Sequence, residues 1–498
     1  MYPSRLLLLG RSLILLAAAT VASSTAADWP QFRGPNCSGV AESEQPLPVE
    51  FSDSEKVAWS LDLGDGIGCP VVAAGRVFVS GMVDEQTVRL LCADASSGDV
   101  VWSRDLDTGP LPEIHLTNSH ASTTAAADDE HVYFYFSSLG MMALDARTGE
   151  IEWQTKLPVP YFVFKWGAGM SPVLFEDKVI FVQDDDLSPA MYALDKATGD
   201  IVWRVDRGNM AVNYSHPVIC QTPSGPELVV AGTGKLVGYD PHTGEELWFA
   251  RVLLRNIKTT PVSHDGIVYI SLESGGIANQ WLNTADRSDT GNSDGRLTKE
   301  EMQAFVGDVK IPDAFMEKFD RGDLNGDGFL EGEELDIAFL DPENRAGAAH
   351  DAANPSDQFI IAVRGGGRGD VTESHVLWKH ESRAPDHIVS PLVVGGRMLV
   401  VKGGGISSCF DTNDGQPVWS QRRIQNIGEY FASPVAGDGK IYVVGENGIV
   451  VVLEDGPELN VLAKNDLGES CLATPAIADG RIYFRTRNKL ICVAELAN

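Results

Sequence analysis

The sequence predicts an all-β fold: an eight-bladed β-propeller closed by an N-terminal strand, with a small α-helical insertion. Three observations predict it. An Asp–Gly–Trp spacing recurs five times. A short strand opened by a small residue and Pro, then a turn and a β-branched strand, recurs around it. One gap between repeats is long enough to hold a separate unit.

The N-terminus comes first. Arg5 and Arg11 are basic, Leu13 to Ala19 is apolar, and Ser24-Thr25-Ala26-Ala27 precedes Asp28. This is the pattern of a secretory signal peptide over residues 1–27. The apolar run is too short for a spanning helix, which needs ~20 residues. The expectation is an exported protein, periplasmic or extracellular, with no transmembrane anchor once the signal is cleaved.

The first repeat element follows. CADASSGDVVW, ALDARTGEIEW, ALDKATGDIVW, GYDPHTGEELW and CFDTNDGQPVW place Gly four residues and Trp eight residues after Asp. The sets start at Asp94, Asp145, Asp195, Asp240 and Asp411. This spacing predicts a strand ending at Asp, whose carboxylate bonds turn amides. Gly then supplies a positive φ. The next strand carries Trp, with a large area to bury on a neighbouring unit.

The second element opens at Pro70, Pro172, Pro217, Pro261, Pro391, Pro434 and Pro475, with Thr123 taken as the eighth anchor. Four short strands per ~45 residues match a propeller blade, so eight starts imply eight blades. The last repeat lacks a Trp strand, and an orphan one, VAWSLDL with Trp59, precedes the first. That strand is expected to complete the final blade. The propeller is read over residues 28–276 and 360–498.

These repeats resemble the PQQ-like (quinoprotein alcohol dehydrogenase-like) propeller repeat. The opening DWPQFRGPNCSGV, with GGRGDVTESHVLW and NDLGESCLATPAIADGRIYFRT, resembles secreted repeat proteins of planctomycete type. The resemblance implies the fold. Its members include both quinone-dependent dehydrogenases and non-enzymatic assembly scaffolds, so it does not imply one activity. Such dehydrogenases carry adjacent cysteines beside the quinone. Here Cys37, Cys69, Cys92, Cys220, Cys409, Cys471 and Cys492 are all separated. PQQ is therefore an open but unsupported cofactor.

The long gap carries different chemistry. Residues 283–345 hold 17 acidic and 7 basic side chains, with helical patterns in place of strands. DLNGDGFLEGEE fits a twelve-residue EF-hand loop. Asp323, Asn325, Asp327, the Phe329 carbonyl, Glu331 and bidentate Glu334 supply the oxygens that Ca²⁺ needs. A partner loop, TGNSDGRLTKEE, aligns Thr290, Asn292, Asp294, Arg296, Thr298 and Glu301 at the same positions, with Thr290 where Asp is expected and Asp289 one residue too early, so the loop is either distorted to use Asp289 or a weak or structural half. Leu297 and Leu330 are expected to meet across a short β contact. Calcium is the expected cofactor.

Residues just before the innermost strands are expected to line one mouth of the funnel: His120, Lys165, Trp166, Tyr214, His216, Lys258, His387, Glu429 and Tyr430. Their mix of cationic, aromatic and acidic groups suits a small polar or carbohydrate-like ligand.

Composition bounds the partners. Lys and Arg total 39 against 70 Asp and Glu, a net charge of −31. Phosphates would be repelled, which excludes a general nucleic-acid binder. No complete catalytic motif is present. The reading is an exported calcium-binding scaffold whose partner is an envelope protein or polysaccharide. The alternatives are a quinone-dependent oxidoreductase or another enzyme using the funnel.

Overall fold

A computed structural model describes residues 28–495, apart from 43–44, 209–211, 252–256, 275–279, 340–356, 382–387 and 426–427. The expected signal segment and His387 lie outside the described residues.

Eight antiparallel sheets form eight blades, at residues 71–107, 126–155, 173–206, 218–250, 262–381, 392–423, 435–466 and 476–494. Blade 8 takes its fourth strand from Val57–Asp62, which pairs antiparallel with Lys489–Ala494. The N-terminal strand thus closes the ring, as the orphan Trp strand predicted.

The Asp–Gly–Trp spacing has a meaning beyond its own hairpin. At Asp94, Asp145 and Asp195 the carboxylate accepts two local backbone amides, for example those of Ser96 and Ser97 at Asp94. The turn then receives the Trp of the preceding blade. Indole N–H groups donate to the carbonyl of the residue after Asp: Trp59 to Ala95, Trp102 to Ala146, Trp153 to Lys196, Trp203 to Pro241 and Trp378 to Thr412, at 2.8–3.2 Å. Gly98 lies flat on the Trp59 ring, where a Cβ would stand 2.6 Å from it, and has φ 76°. Only Gly meets both demands. Opposite each Trp sits a small residue, such as Cys92, Ala143, Ala193, Ala362 or Cys492. Cysteine serves there as a small apolar residue. All seven cysteines are free and buried, and burial pushes the Cys92, Cys409 and Cys492 thiols up to about 12.

Where the next blade lacks the turn, the Trp does something else. Trp248 turns inward and donates to Glu227 at 2.8 Å, and the short strand Gly369–Asp370 pairs in parallel along its blade edge. Trp419 leaves its indole N–H without a partner.

Blade 2 corrects one anchor. Ala126 pairs with Tyr133 as Val173 pairs with Ile180, so Ala125 holds the Pro position and Thr123 does not. The Thr123 hydroxyl instead donates to the Tyr135 carbonyl at 2.6 Å.

The opening segment is a plug across one end of the axis. Trp29 bridges Val72, the Pro30 carbonyl takes the Ala127 amide, and Gln31 Oε1 takes the Leu174 amide. Asn36 exchanges two hydrogen bonds with Ile219, Arg33 donates to the Pro391 carbonyl, and Gly39 and Ala41 bond Ala436. Thirteen residues, 29–41, thereby join the inner edges of six blades. Many long-range bonds from a short segment explain why Trp29 and Arg33 are completely buried.

The insertion leaves blade 5 between strands Ile267–Ser274 and Asp357–Arg364, which pair along their full length. Its helices include Lys299–Val306, Asp313–Gly322 and Glu333–Phe339. Trp281, Met302, Phe315, Phe319, Leu335 and Phe339 form its core, joined by Val163 and Phe164 of the propeller. Among the described residues, no helix is long and apolar enough to cross a membrane.

Candidate functional site

The chain meets itself at the propeller axis through the second residue before each innermost strand: Cys69, Thr124, Ser171, His216, Thr260, Ser390, Ser433 and Thr474. Each is bound to its neighbour. Backbone N–H groups of Cys69, Thr124, His216, Thr260, Ser390 and Ser433 donate to the side chains of Thr124, Ser171, Thr260, Ser390, Ser433 and Thr474, at 2.9–3.2 Å. A hydroxyl belt thus runs from blade to blade. An apolar residue there would leave a buried amide unpaired, at a cost of ~1–3 kcal/mol.

His216 interrupts the belt. Its ring stacks on Phe32 of the plug, with centroids 4.4 Å apart. Thr260 Oγ1 accepts the His216 amide at 3.2 Å and stands 3.1 Å from Nδ1. Nε2 has no partner. Burial, with Arg33 adding repulsion, lowers the His216 pKa to about 3, so the ring is neutral at pH 7.

Above the belt lies a cavity of about 410 Å³. Trp166, Tyr214, His216, Lys258, Glu429 and Tyr430 of the expected funnel set line it. His120 and Lys165 do not: both line a neighbouring cavity of about 180 Å³ beside the insertion. Lys165 has φ 57° and turns away to pair with Glu113 at 2.9 Å. Sequence reasoning missed Phe32, His115, Asn118 and the belt hydroxyls. Their signal was the small polar residue before each Pro, which reads as packing until the ring is closed.

The insertion reaches this cavity through one loop. Phe164 packs on Trp281 at 4.6 Å, while Trp166, two residues on, lines the cavity. The loop is held by Asp185, which accepts the Tyr161 amide, and by Asp186, which accepts the Val163 amide. Lys318 of the insertion donates to the Asp186 carbonyl at 3.1 Å. Beneath them Asp184 and Arg207 form a fully buried bidentate pair at 2.8 Å.

Within the insertion, Leu297 and Leu330 exchange both backbone hydrogen bonds, at 3.0 and 2.9 Å. The two loops are therefore paired. In the second, Asp323 accepts the amides of Gly326, Asp327 and Gly328, and Glu334 accepts those of Leu324 and Glu331. Asn325 and Asp327 each accept the amide two residues on. Glu331 pairs with Arg296 of the first loop at 2.9 Å, and the Arg296 guanidinium lies over the Phe329 ring.

The first loop corrects the expected alignment. Asp286, fully buried, accepts the amides of Asp294 and Gly295 at 2.9 and 3.1 Å. These are the bonds that Asp323 makes to Asp327 and Gly328. Asp286 thus takes the first position, and Thr290 instead bonds Ser288 on an exposed bulge. Asn292 Oδ1 accepts the Asp294 amide. Glu301 accepts the Asn292 and Thr298 amides, as Glu334 does for Leu324 and Glu331. Thr298 and Glu301 also form a capping box on the following helix. Among the described residues, no three His, Cys, Asp or Glu side chains already converge on one metal position.

Closed blades, a belted axis and the inter-blade Trp contacts define a β-propeller of PQQ-like repeats. The family profile described as outer membrane protein assembly factor BamB matches residues 43–162 and 163–315, more than half of the chain, and the chain belongs to this family. It is 22% identical over 424 residues to the outer membrane protein assembly factor BamB of Yersinia pestis, covering 81% of this chain and 90% of that protein. It is 34% identical over 138 residues to the 1-butanol dehydrogenase (quinone) of Thauera butanivorans, covering 24% of this chain and 21% of the enzyme. Among solved structures, BamB from Moraxella catarrhalis superposes with a TM-score of 0.52 at 13% identity, covering 88% of this chain and 99% of that one.

Proposed function

We propose that this protein is an exported, non-catalytic propeller of the cell envelope that serves as an assembly scaffold, with calcium stabilising its insertion. One observation carries the scaffold reading. The match to an outer membrane protein assembly factor runs over 81% of the chain, whereas the match to a quinone-dependent dehydrogenase runs over 24%. Blade repeats alone account for the shorter match. The planctomycete-type opening motif fits the same reading, because it builds the plug and places no catalytic group in the cavity. An envelope protein is the proposed partner.

The calcium reading rests on the paired loops. Asp323, Asn325, Asp327, the Phe329 carbonyl, Glu331 and Glu334 would hold one ion, and Asp286, Asn292, Asp294, the Arg296 carbonyl, Thr298 and Glu301 a second. Oxygen donors in this number suit a hard cation. Crosslinking in the envelope fraction of the source cell, scored beside quinone-dependent dye reduction with alcohols and sugars, tests the scaffold reading. A specific crosslinked envelope partner without dye reduction supports it. Dye reduction that requires added PQQ would overturn it.

A further inference from the structure

Arg33 lies beside the axial cavity, one residue from Phe32 of its lining. Its side chain is fully buried, and two of its three guanidinium nitrogen groups, Nε and Nη1, have no partner. The third, Nη2, donates to the Pro391 carbonyl at 2.6 Å. Among the described residues, no carboxylate pairs with it. A buried cation without an anion is expensive. Burial lowers its pKa only to about 10, so it stays charged at pH 7.

Its charge lies under the cavity floor. The next residue back, Phe32, forms that floor together with His216. The floor also carries serine hydroxyls. Ser171, Ser390 and Ser433 each accept a backbone N–H and donate to no group among the described residues. An amide feeding each oxygen strengthens its O–H as a donor. The neutral His216 adds an Nε2 with no hydrogen-bond partner. Higher up, the walls are apolar and aromatic, with Ile67, Trp166, Phe431 and Leu472. Lys258 stands over the Trp166 ring at 5.4 Å, and among the described residues the lining's one carboxylate, Glu429, is exposed.

We propose that the axial cavity binds a small organic monocarboxylate with an apolar ring-sized body. The carboxylate sits down over the serine hydroxyls and the buried Arg33, and the body lies against the aromatic wall. The volume of about 410 Å³ is within the range of small-molecule sites. Free hydroxyl hydrogens and a buried cation without an anion favour negative charge. The apolar wall selects against a bare inorganic ion, which would leave it wet. This goes beyond the scaffold reading and does not depend on it.

The test compares benzoate, benzamide and benzylamine on the full mature chain by titration calorimetry, with tryptophan fluorescence as a second readout. Benzoate is expected to bind at least tenfold more tightly than either isostere. Its fluorescence change is expected to disappear in Trp166→Phe, which locates it in the cavity. Ser171→Ala with Ser433→Ala is expected to weaken benzoate at least fivefold and to leave any benzamide binding unchanged. Lys258→Gln, which sits at the rim outside the packed floor, is expected to weaken benzoate about threefold. Equal binding of benzamide and benzoate, no benzoate binding at 10 mM, or a fluorescence change that survives Trp166→Phe would each overturn the proposal. The wild-type comparison stands by itself if the floor variants fail to fold.

Discussion

The indole N–H of Trp59 donates to the Ala95 carbonyl at 3.2 Å, joining the first strand of the chain, in blade 8, to the turn of blade 1. The same bond recurs at four other blade junctions. At this one it also closes the ring, so its loss frees an edge as well as a contact. Trp59→Ala is expected to cost about 3–5 kcal/mol, the usual range for emptying a buried Trp site. Trp419→Ala is expected to cost clearly less, because Trp419 is only partly buried and its indole N–H has no partner. Urea unfolding of the two variants side by side checks this, and equal losses would refute the closure argument.

Gly98 supports the same junction. Gly98→Ala forces a methyl into the Trp59 ring as well as into a positive φ, whereas at Gly75 a methyl meets nothing within 4 Å. Gly75→Ala is expected to cost about 1 kcal/mol from backbone strain alone. Gly98→Ala is expected to cost at least about twice that, read as the shift in urea midpoint at constant slope.

Acid should loosen the axis through His216. Its folded pKa is about 3, against 6.5 for the free side chain. A folded pKa below the unfolded one means that the unfolded chain takes the proton first. Stability is therefore complete above about pH 6.5 and falls as the pH drops toward 3. His216→Gln keeps a polar side chain without the titration. The difference in unfolding free energy between wild type and His216→Gln is expected to change by roughly 1 kcal/mol per pH unit between pH 6 and 4. A difference that stays flat would show that His216 is not buried neutral.

Calcium should order the insertion. Glu334→Gln removes the bidentate carboxylate of the second loop and is expected to abolish its site in calorimetry. Asp286→Asn is expected to weaken the first site at least tenfold, and Thr290→Val to leave it unchanged. The reverse ranking of Asp286 and Thr290 would restore the fixed twelve-residue alignment. Affinity in the ~10⁻⁴–10⁻³ M range of extracellular modules is expected.

Removing residues 283–350 behind a Gly/Ser bridge should leave the propeller folded, because the two strands that flank the insertion pair over their whole length. The excision removes Phe305, whose ring packs on both Phe164 and Trp281, and so uncovers that aromatic pair. The shortened protein is expected to show β-type circular dichroism and to self-associate in sedimentation. Phe164→Ser is expected to reverse the association. Loss of β structure would show that the insertion is part of the propeller fold.

The repeats, the blade count and the closing strand were legible in the sequence because they are local. Turn chemistry and a fixed Asp-to-Trp distance repeat along the chain, and an unmatched strand at each end can only complete one blade. Leu297 and Leu330 were legible for the same reason: their loop positions fix their pairing. Other features depend on residues far apart in sequence. The eight residues before the innermost strands look like packing until ring closure sets them side by side as a belt. Arg33 looks like a surface cation until the plug draws it under the axis. Asp286 was hidden because the chain bulges between it and Gly295, and only the shared hydrogen bonds to Asp294 and Gly295 reveal its place. Local spacing determined the ring and its parts. The long-range hydrogen bonds of the closed ring decided which of those parts face the cavity.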